Sequence, residues 1–358
     1  LAGSVNAGFH LDGTHGIRFQ HLNVSGPSNG LYVDESYFIG TDQVDVQGCF
    51  NGVSAVGASS NLNLSHSVFA ENENAAIAFN CELYGAVDVG SCVLWSNVYG
   101  SYLENGFVRT SNNVFGMVRP RSYGMYVRAD APIMGFQGDY NCLYVAQPNS
   151  AAGALQTGIL STARTSVYAT VSAWAAATGQ ELRSLAQDPL LVDPGNDDFH
   201  PRSRGGRYAP GSGWTIDTAS SPLIDAGRPE STAWTAEPDP NGRRLNIGRY
   251  GGTAEASKTP LAGWITMISL VDGGTAAGLV DLEWTVGGAA TNYSVCIKYS
   301  PDKGTTWTNV VCGWPAATGA GGAGSYAWDS VPYGRSALGL WQIYCVEDAA
   351  IIATSIAP

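Results

Sequence analysis

Leu62-Asn63-Leu64-Ser65-His66-Ser67-Val68-Phe69 is answered by Val87-Asp88-Val89-Gly90-Ser91-Cys92-Val93-Leu94 and, more loosely, by Val108-Arg109-Thr110-Ser111-Asn112-Asn113-Val114-Phe115. The shared phrase is apolar, any, apolar, two variable residues, then Ser, Cys or Asn, then an apolar end. Leu31-Tyr32-Val33-Asp34-Glu35-Ser36-Tyr37-Phe38 reads as an earlier copy. The later copies begin at residues 62, 87 and 108, steps of 25 and 21. A repeat of this length fixes architecture before local propensity does.

A second phrase runs between the copies, a small residue followed by alternating apolars: Gly30-Leu31, Gly52-Val53, Ala76-Ile77, Gly106-Phe107 and Gly124-Met125. Short strands at this spacing cannot bury an apolar face alone, but they can if each turn of chain stacks on the last. The expected fold is therefore all-β, a right-handed parallel β-helix, with Asn, Ser and Gly at tight corners and left-handed positions. A sandwich of antiparallel hairpins is the rival, but it would want hairpin turns where this chain repeats corners.

The 358 residues are 44% apolar and 13% charged, which excludes a disordered chain and leaves room for two domains. The formal charge is −12. The first 150 residues hold no lysine and five arginines against twelve acidic residues, so nothing resembles a phosphate-neutralising groove and nucleic acid is not an expected partner. The same acidity argues against an anionic polysaccharide unless calcium bridges the two. No run of 18 apolar residues exists to span a membrane. The first ten residues already read as corner and strand, so the numbering is expected to begin inside a processed or truncated polypeptide. An open coil end there would need covering by upstream coils or by self-assembly.

Seven cysteines at 49, 81, 92, 142, 296, 312 and 345 include no close pair of zinc type, and no metal site is expected from them. Cys49, Cys92 and Cys142 fall in or near the serine slot and are expected as small buried fillers. Cys296 and Cys312 flank the turn 301–306 almost symmetrically, so a hairpin could pair them; Cys345 on a third strand is the competing partner.

From about residue 139 the coil pattern loosens. The stretch 168–185 carries the one helical stripe, Val171, Trp174, Ala175 and Leu182, interrupted by Gly179. Residues 186–257 read as irregular terminating coils, so the first domain is expected to run 1–257. A linker at 258–262 then leads to 263–358, where six or seven strand candidates separated by Gly-rich turns fit a small β-sandwich of immunoglobulin or fibronectin type III kind.

The run from Tyr168 through Asp193, with Trp174, Ala177-Thr178-Gly179-Gln180, Asp188-Pro189-Leu190 and Val192-Asp193-Pro194, resembles the closing section of secreted bacterial proteins of the pectate-lyase-like parallel β-helix superfamily. So do Phe199-His200-Pro201, Ser221-Pro222-Leu223-Ile224-Asp225-Ala226-Gly227 and Asn246-Ile247-Gly248. The resemblance covers about residues 15 to 257 and implies the fold and secretion or display at the cell surface. That superfamily includes polysaccharide lyases, hydrolases, tailspikes and adhesins, among which fold does not choose. In the final domain Ser300, Asp302, Gly304, Thr306 and Trp307 resemble an Asp-box hairpin, in which the aspartate caps the turn, Gly304 supplies positive φ and Trp307 packs inward.

A lyase would need an Arg or Lys base beside carboxylates that hold calcium against a uronate. Arg109 and Arg128, with Asp88, Glu104, Asp130 and Asp139 spaced one to two coils apart, are the residues that stacking could bring together. A hydrolase would need two carboxylates across a groove; Asp197 and Asp198 with His200 lie in a segment better read as a turn, and His66 sits inside the repeat on an outward position. Tyrosines 32, 37, 84, 99, 102, 123 and 126 offer amphipathic rings to sugars. Among them Tyr99, Tyr102 and Tyr123, with Trp314 of the sandwich expected in a loop, are the binding candidates, whereas Trp284 and Trp328 read as core. The sequence thus favours a non-catalytic scaffold that binds polysaccharide or a surface protein in adhesion or extracellular assembly; a lyase or glycoside hydrolase with its site spread over several coils is the alternative.

Overall fold

The computed structural model describes residues 6–81, 85–128, 135–157, 164–260 and 263–355. The chain divides into two compact units. One takes the coil through Glu181 together with Leu185–Pro189 and Ile247–Gly251; the other takes Leu182–Ser184, Leu190–Asn246 and the described residues from Gly252 on.

The first unit is a parallel β-helix of three sheets. The first sheet stacks Ala7–Asp12, Asn29–Asp34, Asn51–Gly57, Ala75–Cys81, Tyr99–Asn105, Tyr123–Arg128 and Ala151–Thr157, all parallel, and ends with the antiparallel strand Arg164–Tyr168. The second sheet runs from Arg18–Gln20 to Phe136–Asp139 and the third from Asn23–Ser25 to Cys142–Val145, six strands each. Stacking in register puts like residues over like: Leu31, Val53 and Ile77 form one inward column and Val46, Phe69, Leu94, Phe115 and Leu143 another, all buried.

The recurring Ser, Cys or Asn is a corner device. Val44, Ser67, Cys92, Asn113 and Asn141 stand in one column between the second and third sheets, each 0% exposed. A corner cannot give its backbone N–H to the sheet ladder, so another acceptor must be found inside the core. Ser67 Oγ accepts from the Val44 amide (3.2 Å), Asn113 Oδ1 from the Cys92 amide (2.8 Å), and Asn141 Oδ1 from the Asn113 amide (3.0 Å). The residue before each is left-handed: Gln43, His66, Ser91, Asn112 and Tyr140 all have φ between 45° and 58°. Asn72 and Asn97 do the same at the corner between the third and first sheets, where Asn72 Oδ1 accepts from the Cys49 amide at 3.1 Å.

Two details of the repeat differ from the sequence reading. Leu31 to Phe38 is out of phase with the later copies: Leu31 and Val33 lie in the first sheet, and the true counterpart of Leu62 to Phe69 is Ile39 to Val46. The small-residue column is Gly8, Gly30, Gly52, Ala76, Gly100, Gly124 and Ala152, with Gly106 at a corner instead. A Cβ on Gly100 would lie 2.6 Å from the Gly124 carbonyl oxygen and 2.6 Å from Phe115, so the close approach of the next coil selects glycine there.

The helix is Val171–Thr178, capped by Thr170 Oγ1 on the Ala173 amide and ended by Gly179 in the left-handed region. Trp174, 0% exposed, lies against Gly153, Phe136 and Tyr168, so the helix closes the apolar end of the coil. Cys49, Cys81, Cys92 and Cys142 are buried free thiols, and burial pushes Cys92 and Cys142 up to about 12, as inert fillers require.

In the second unit, Leu191–Asp193 pairs antiparallel with Asp198–Pro201. Gly263–Met267, Leu279–Gly288 and Ala323–Asp329 form one antiparallel sheet; Thr308–Pro315, Ser294–Ser300, Leu340–Cys345 and Ile352–Thr354 form a second. Leu282, Trp284, Val295, Ile297, Trp328, Trp341 and Ile343 fill the sandwich core between them. Among the described residues no helix is long and apolar enough to cross a membrane.

Candidate functional site

The register of the first sheet assembles a block of four tyrosines. Tyr99 and Tyr123 are direct neighbours on adjacent coils, as are Tyr102 and Tyr126. The rings of Tyr102 and Tyr126 stack at 5.3 Å and 12°, those of Tyr99 and Tyr123 at 5.8 Å and 19°. Tyr99 meets Tyr126 edge-on at 5.0 Å, which locks the two pairs together. All four are half-buried. Burial and then the neighbouring tyrosines push the Tyr99 hydroxyl up; burial does the same to Tyr102 against the opposing pull of Arg128.

The coils on either side carry alanine in these positions. Ala75 precedes Tyr99 and Ala151 follows Tyr123; Ala78 precedes Tyr102 and Ala154 follows Tyr126. Within each stacked pair the two rings cover each other's inner faces, which leaves one outer face on each of the four rings; of the flanking alanines, Ala75, Ala151 and Ala154 are buried and Ala78 is half-buried. Polar groups frame the block: Arg128 pairs with Glu104, and the Tyr126 hydroxyl donates to Gln156 Oε1 at 3.3 Å. A flat apolar face with hydroxyl and ion-pair edges is suited to a pyranose ring, which offers a C–H face and a hydroxyl rim.

Among the described residues, those that a lyase would need form separate pairs and not one cluster. Asp88 and Arg109 are lateral neighbours on the second sheet and pair with each other at 3.0 Å, both about half exposed. Glu104 and Arg128 pair on the first sheet. Asp139 ends a strand of the second sheet, where its Oδ1 accepts from the Tyr140 amide at 3.1 Å. Asp130 lies outside the described residues, as does Tyr84. His66 Nδ1 lies 3.1 Å from Asp42 Oδ1, in an outward cluster that also holds Arg18 and Gln20. Among the described residues no group of three or more His, Cys, Asp or Glu is arranged to hold a metal ion.

The closing motifs make a buried polar network instead of a groove. Asp225 accepts from the Gly242 amide (3.0 Å) and the Thr259 hydroxyl (2.8 Å), while Glu237 Oε1 accepts from the amides of Asn246 (2.9 Å) and Gly252 (2.8 Å). Burial raises Asp225 to about 6 and Glu237 to about 8. His200 is 1% exposed, with Nδ1 2.7 Å from Asp198 Oδ1, too deeply placed to meet a polymer.

In the sandwich, Cys296 and Cys312 lie opposite each other on adjacent antiparallel strands with Cα atoms 4.0 Å apart and are disulfide-bonded; Cys345 is free and buried on the neighbouring strand. Asp302 Oδ1 accepts from the Thr306 amide (2.7 Å) and the Ser300 hydroxyl (2.8 Å), and its Oδ2 from the Thr306 hydroxyl (2.8 Å). The Gly304 amide donates to Ser300 Oγ at 2.7 Å, and Gly304 has φ 88° beside the half-buried Trp307. These bonds hold the Asp302 carboxyl below the usual carboxylate range, the Thr306 amide foremost. Trp314 sits at the end of strand Thr308–Pro315 and not in a loop; its Nε1 donates to the Ser325 carbonyl at 2.9 Å and its ring meets Tyr326 edge-on at 5.1 Å. That anchoring leaves it 36% exposed.

No protein-family model matches the chain, and no curated protein matches it. What the molecule shares with the pectate-lyase-like superfamily is the parallel β-helix fold.

Proposed function

We propose that this chain is a secreted or cell-surface β-helix scaffold that binds polysaccharide, in adhesion or extracellular assembly, without cleaving it. The observation that carries this reading is the block of half-buried, mutually stacked Tyr99, Tyr102, Tyr123 and Tyr126 that the register of the first sheet assembles. The pairing of each candidate arginine with its own carboxylate supports the non-catalytic half: Arg109 is answered by Asp88 and Arg128 by Glu104, on different sheets. The Cys296–Cys312 disulfide supports an oxidising, extracellular setting. Calcium enters as an ion shared with an acidic glycan at the sheet surface, and the Asp-box reading of 300–307 assigns that hairpin a structural role only.

Incubation of the chain with neutral and uronate-containing polysaccharides, with and without calcium and with a chelator, tests both halves. Retention on the polymer without new reducing ends or unsaturated products is the expected result. Unsaturated products would establish a lyase, and new reducing ends without unsaturation a hydrolase; either overturns the proposal.

A further inference from the structure

Tyr102 and Tyr126 are register partners on adjacent parallel strands, and their rings lie 5.3 Å apart at an interplanar angle of 12°. Both side chains rise from the sheet in the same direction, so the ring carbons ortho to one hydroxyl lie beside those ortho to the other. The Tyr299–Tyr333 contact of the sandwich makes the contrast: at 5.6 Å and 76°, one ring points its edge at the other's face. Tyr99 and Tyr123 repeat the parallel stack more loosely, at 5.8 Å and 19°. Tilted contacts of Tyr99 with Tyr126 (5.0 Å) and with Tyr102 (5.2 Å) hold the first pair in place.

The surroundings leave this pair room to react. Its next register partners are alanines, Ala78 before Tyr102 and Ala154 after Tyr126, so no larger side chain of the column crowds either ring. Both rings are half-buried and therefore open to solvent on one side. The free thiols of the same unit, Cys49, Cys81, Cys92 and Cys142, are buried, and burial keeps them protonated, which removes them as competitors for an oxidant in solution.

We propose that the block is an oxidative cross-linking site, at which a one-electron oxidant of the peroxidase and peroxide class joins Tyr102 to Tyr126 as dityrosine. Each phenol gives up one electron and its hydroxyl proton to become a phenoxyl radical. The two radicals pair to form a carbon–carbon bond between ortho ring carbons. Each of those carbons then passes its hydrogen, as a proton, to its own ring oxygen, which restores the phenol. Two ring C–H bonds are broken and one C–C bond is made, and the two electrons and two hydroxyl protons released reduce one hydrogen peroxide to two waters. Holding the rings in contact makes the coupling effectively unimolecular and favours it over coupling between chains. The product is a covalent staple across two successive coils, and it stands whether or not the block binds polymer.

The test is oxidation of the full chain by a haem peroxidase with equimolar hydrogen peroxide, followed by isolation of the monomer, dityrosine fluorescence and mass spectrometry of proteolytic fragments. The expected product is a monomer in which the peptides carrying Tyr102 and Tyr126 are joined and together two hydrogen atoms lighter, at a yield unchanged on about tenfold dilution. Tyr126→Phe keeps the ring and removes the hydroxyl; it is expected to lose that linked peptide while melting close to the parent, and Tyr102→Phe to do the same. Tyr333→Phe in the sandwich is expected to keep it. The linked monomer is expected to need more urea to lose its first sheet, because the bond closes a loop in the unfolded chain. Oxidation in urea strong enough to unfold the chain is expected to give far less of the linked monomer. No joined peptide in the monomer, an equal yield from the unfolded chain, or survival of the link in Tyr126→Phe would each overturn the proposal.

Discussion

Asn113→Ala removes a single side chain from the corner column, and its cost can be worked out bond by bond. Asn113 Oδ1 accepts from the Cys92 amide at 2.8 Å, and its Nδ2 donates to the Val89 carbonyl at 2.8 Å and to Asn141 Oδ1 at 3.0 Å. The site is 0% exposed, so water does not replace what is lost. Orphaning the Cys92 N–H costs about 1–3 kcal/mol, and two further hydrogen bonds contribute roughly 1 kcal/mol each, for a loss of about 3–5 kcal/mol. Against a typical domain stability of about 5–15 kcal/mol this is a large fraction. Urea unfolding followed by circular dichroism gives the loss, and hydrogen exchange at the Cys92 amide localises it, which matters in a chain of two units that need not unfold as one. Asn63→Ala is the control: exposed on the second sheet, it is expected to change stability by no more than about 0.5 kcal/mol. If Asn113→Ala proves as mild as Asn63→Ala, the corner column does not hold the coils together as described.

Two further predictions concern the second unit. Glu237, raised to about 8, holds its proton more tightly folded than unfolded, so its contribution is complete at acid pH and is lost as pH rises from about 4.3 through about 8. Glu237→Gln keeps an acceptor for the Asn246 and Gly252 amides and has no proton to lose; its melting temperature should fall less between pH 5 and pH 8 (roughly the window set by those values) than that of the parent, and identical slopes would contradict the assignment. Asp302→Ala is expected to lower the melting temperature of the sandwich, because the Thr306 amide and hydroxyl lose their acceptor, while glycan binding by the first unit stays unchanged; loss of an activity at unchanged stability would refute the structural role.

The fold was legible because three successive coils put a small polar or thiol side chain at the same corner, where Val44 stands one coil earlier. Ser67, Cys92 and Asn113 fall at the same point of three successive copies since each must be small enough for the corner and placed to serve the core, and that constraint is written locally. Phase was harder to read. Leu31-Tyr32-Val33 imitates the phrase because a first-sheet strand also alternates, and Ile39 to Val46, whose Thr41 and Val44 stand where Leu64 and Ser67 stand a coil later, is the copy that a strict spacing of 23 from Leu62 would have found. The tyrosines were visible as residues, but the block exists only through register, which sets Tyr99 beside Tyr123 and leaves alanines on both flanks. Stacking was expected to be able to bring Asp88, Glu104, Arg109 and Arg128 together; the sheets divide them into two pairs, Asp88 with Arg109 and Glu104 with Arg128.

Affinity of the parent chain and of a Tyr102→Ala/Tyr126→Ala double variant for the same polysaccharide, measured by calorimetry with both proteins shown to melt alike, tests the tyrosine block most directly. Removing one stacked pair takes away two of the four outer ring faces. The account predicts an affinity lower by about tenfold or more. Undiminished binding by the double variant would contradict it.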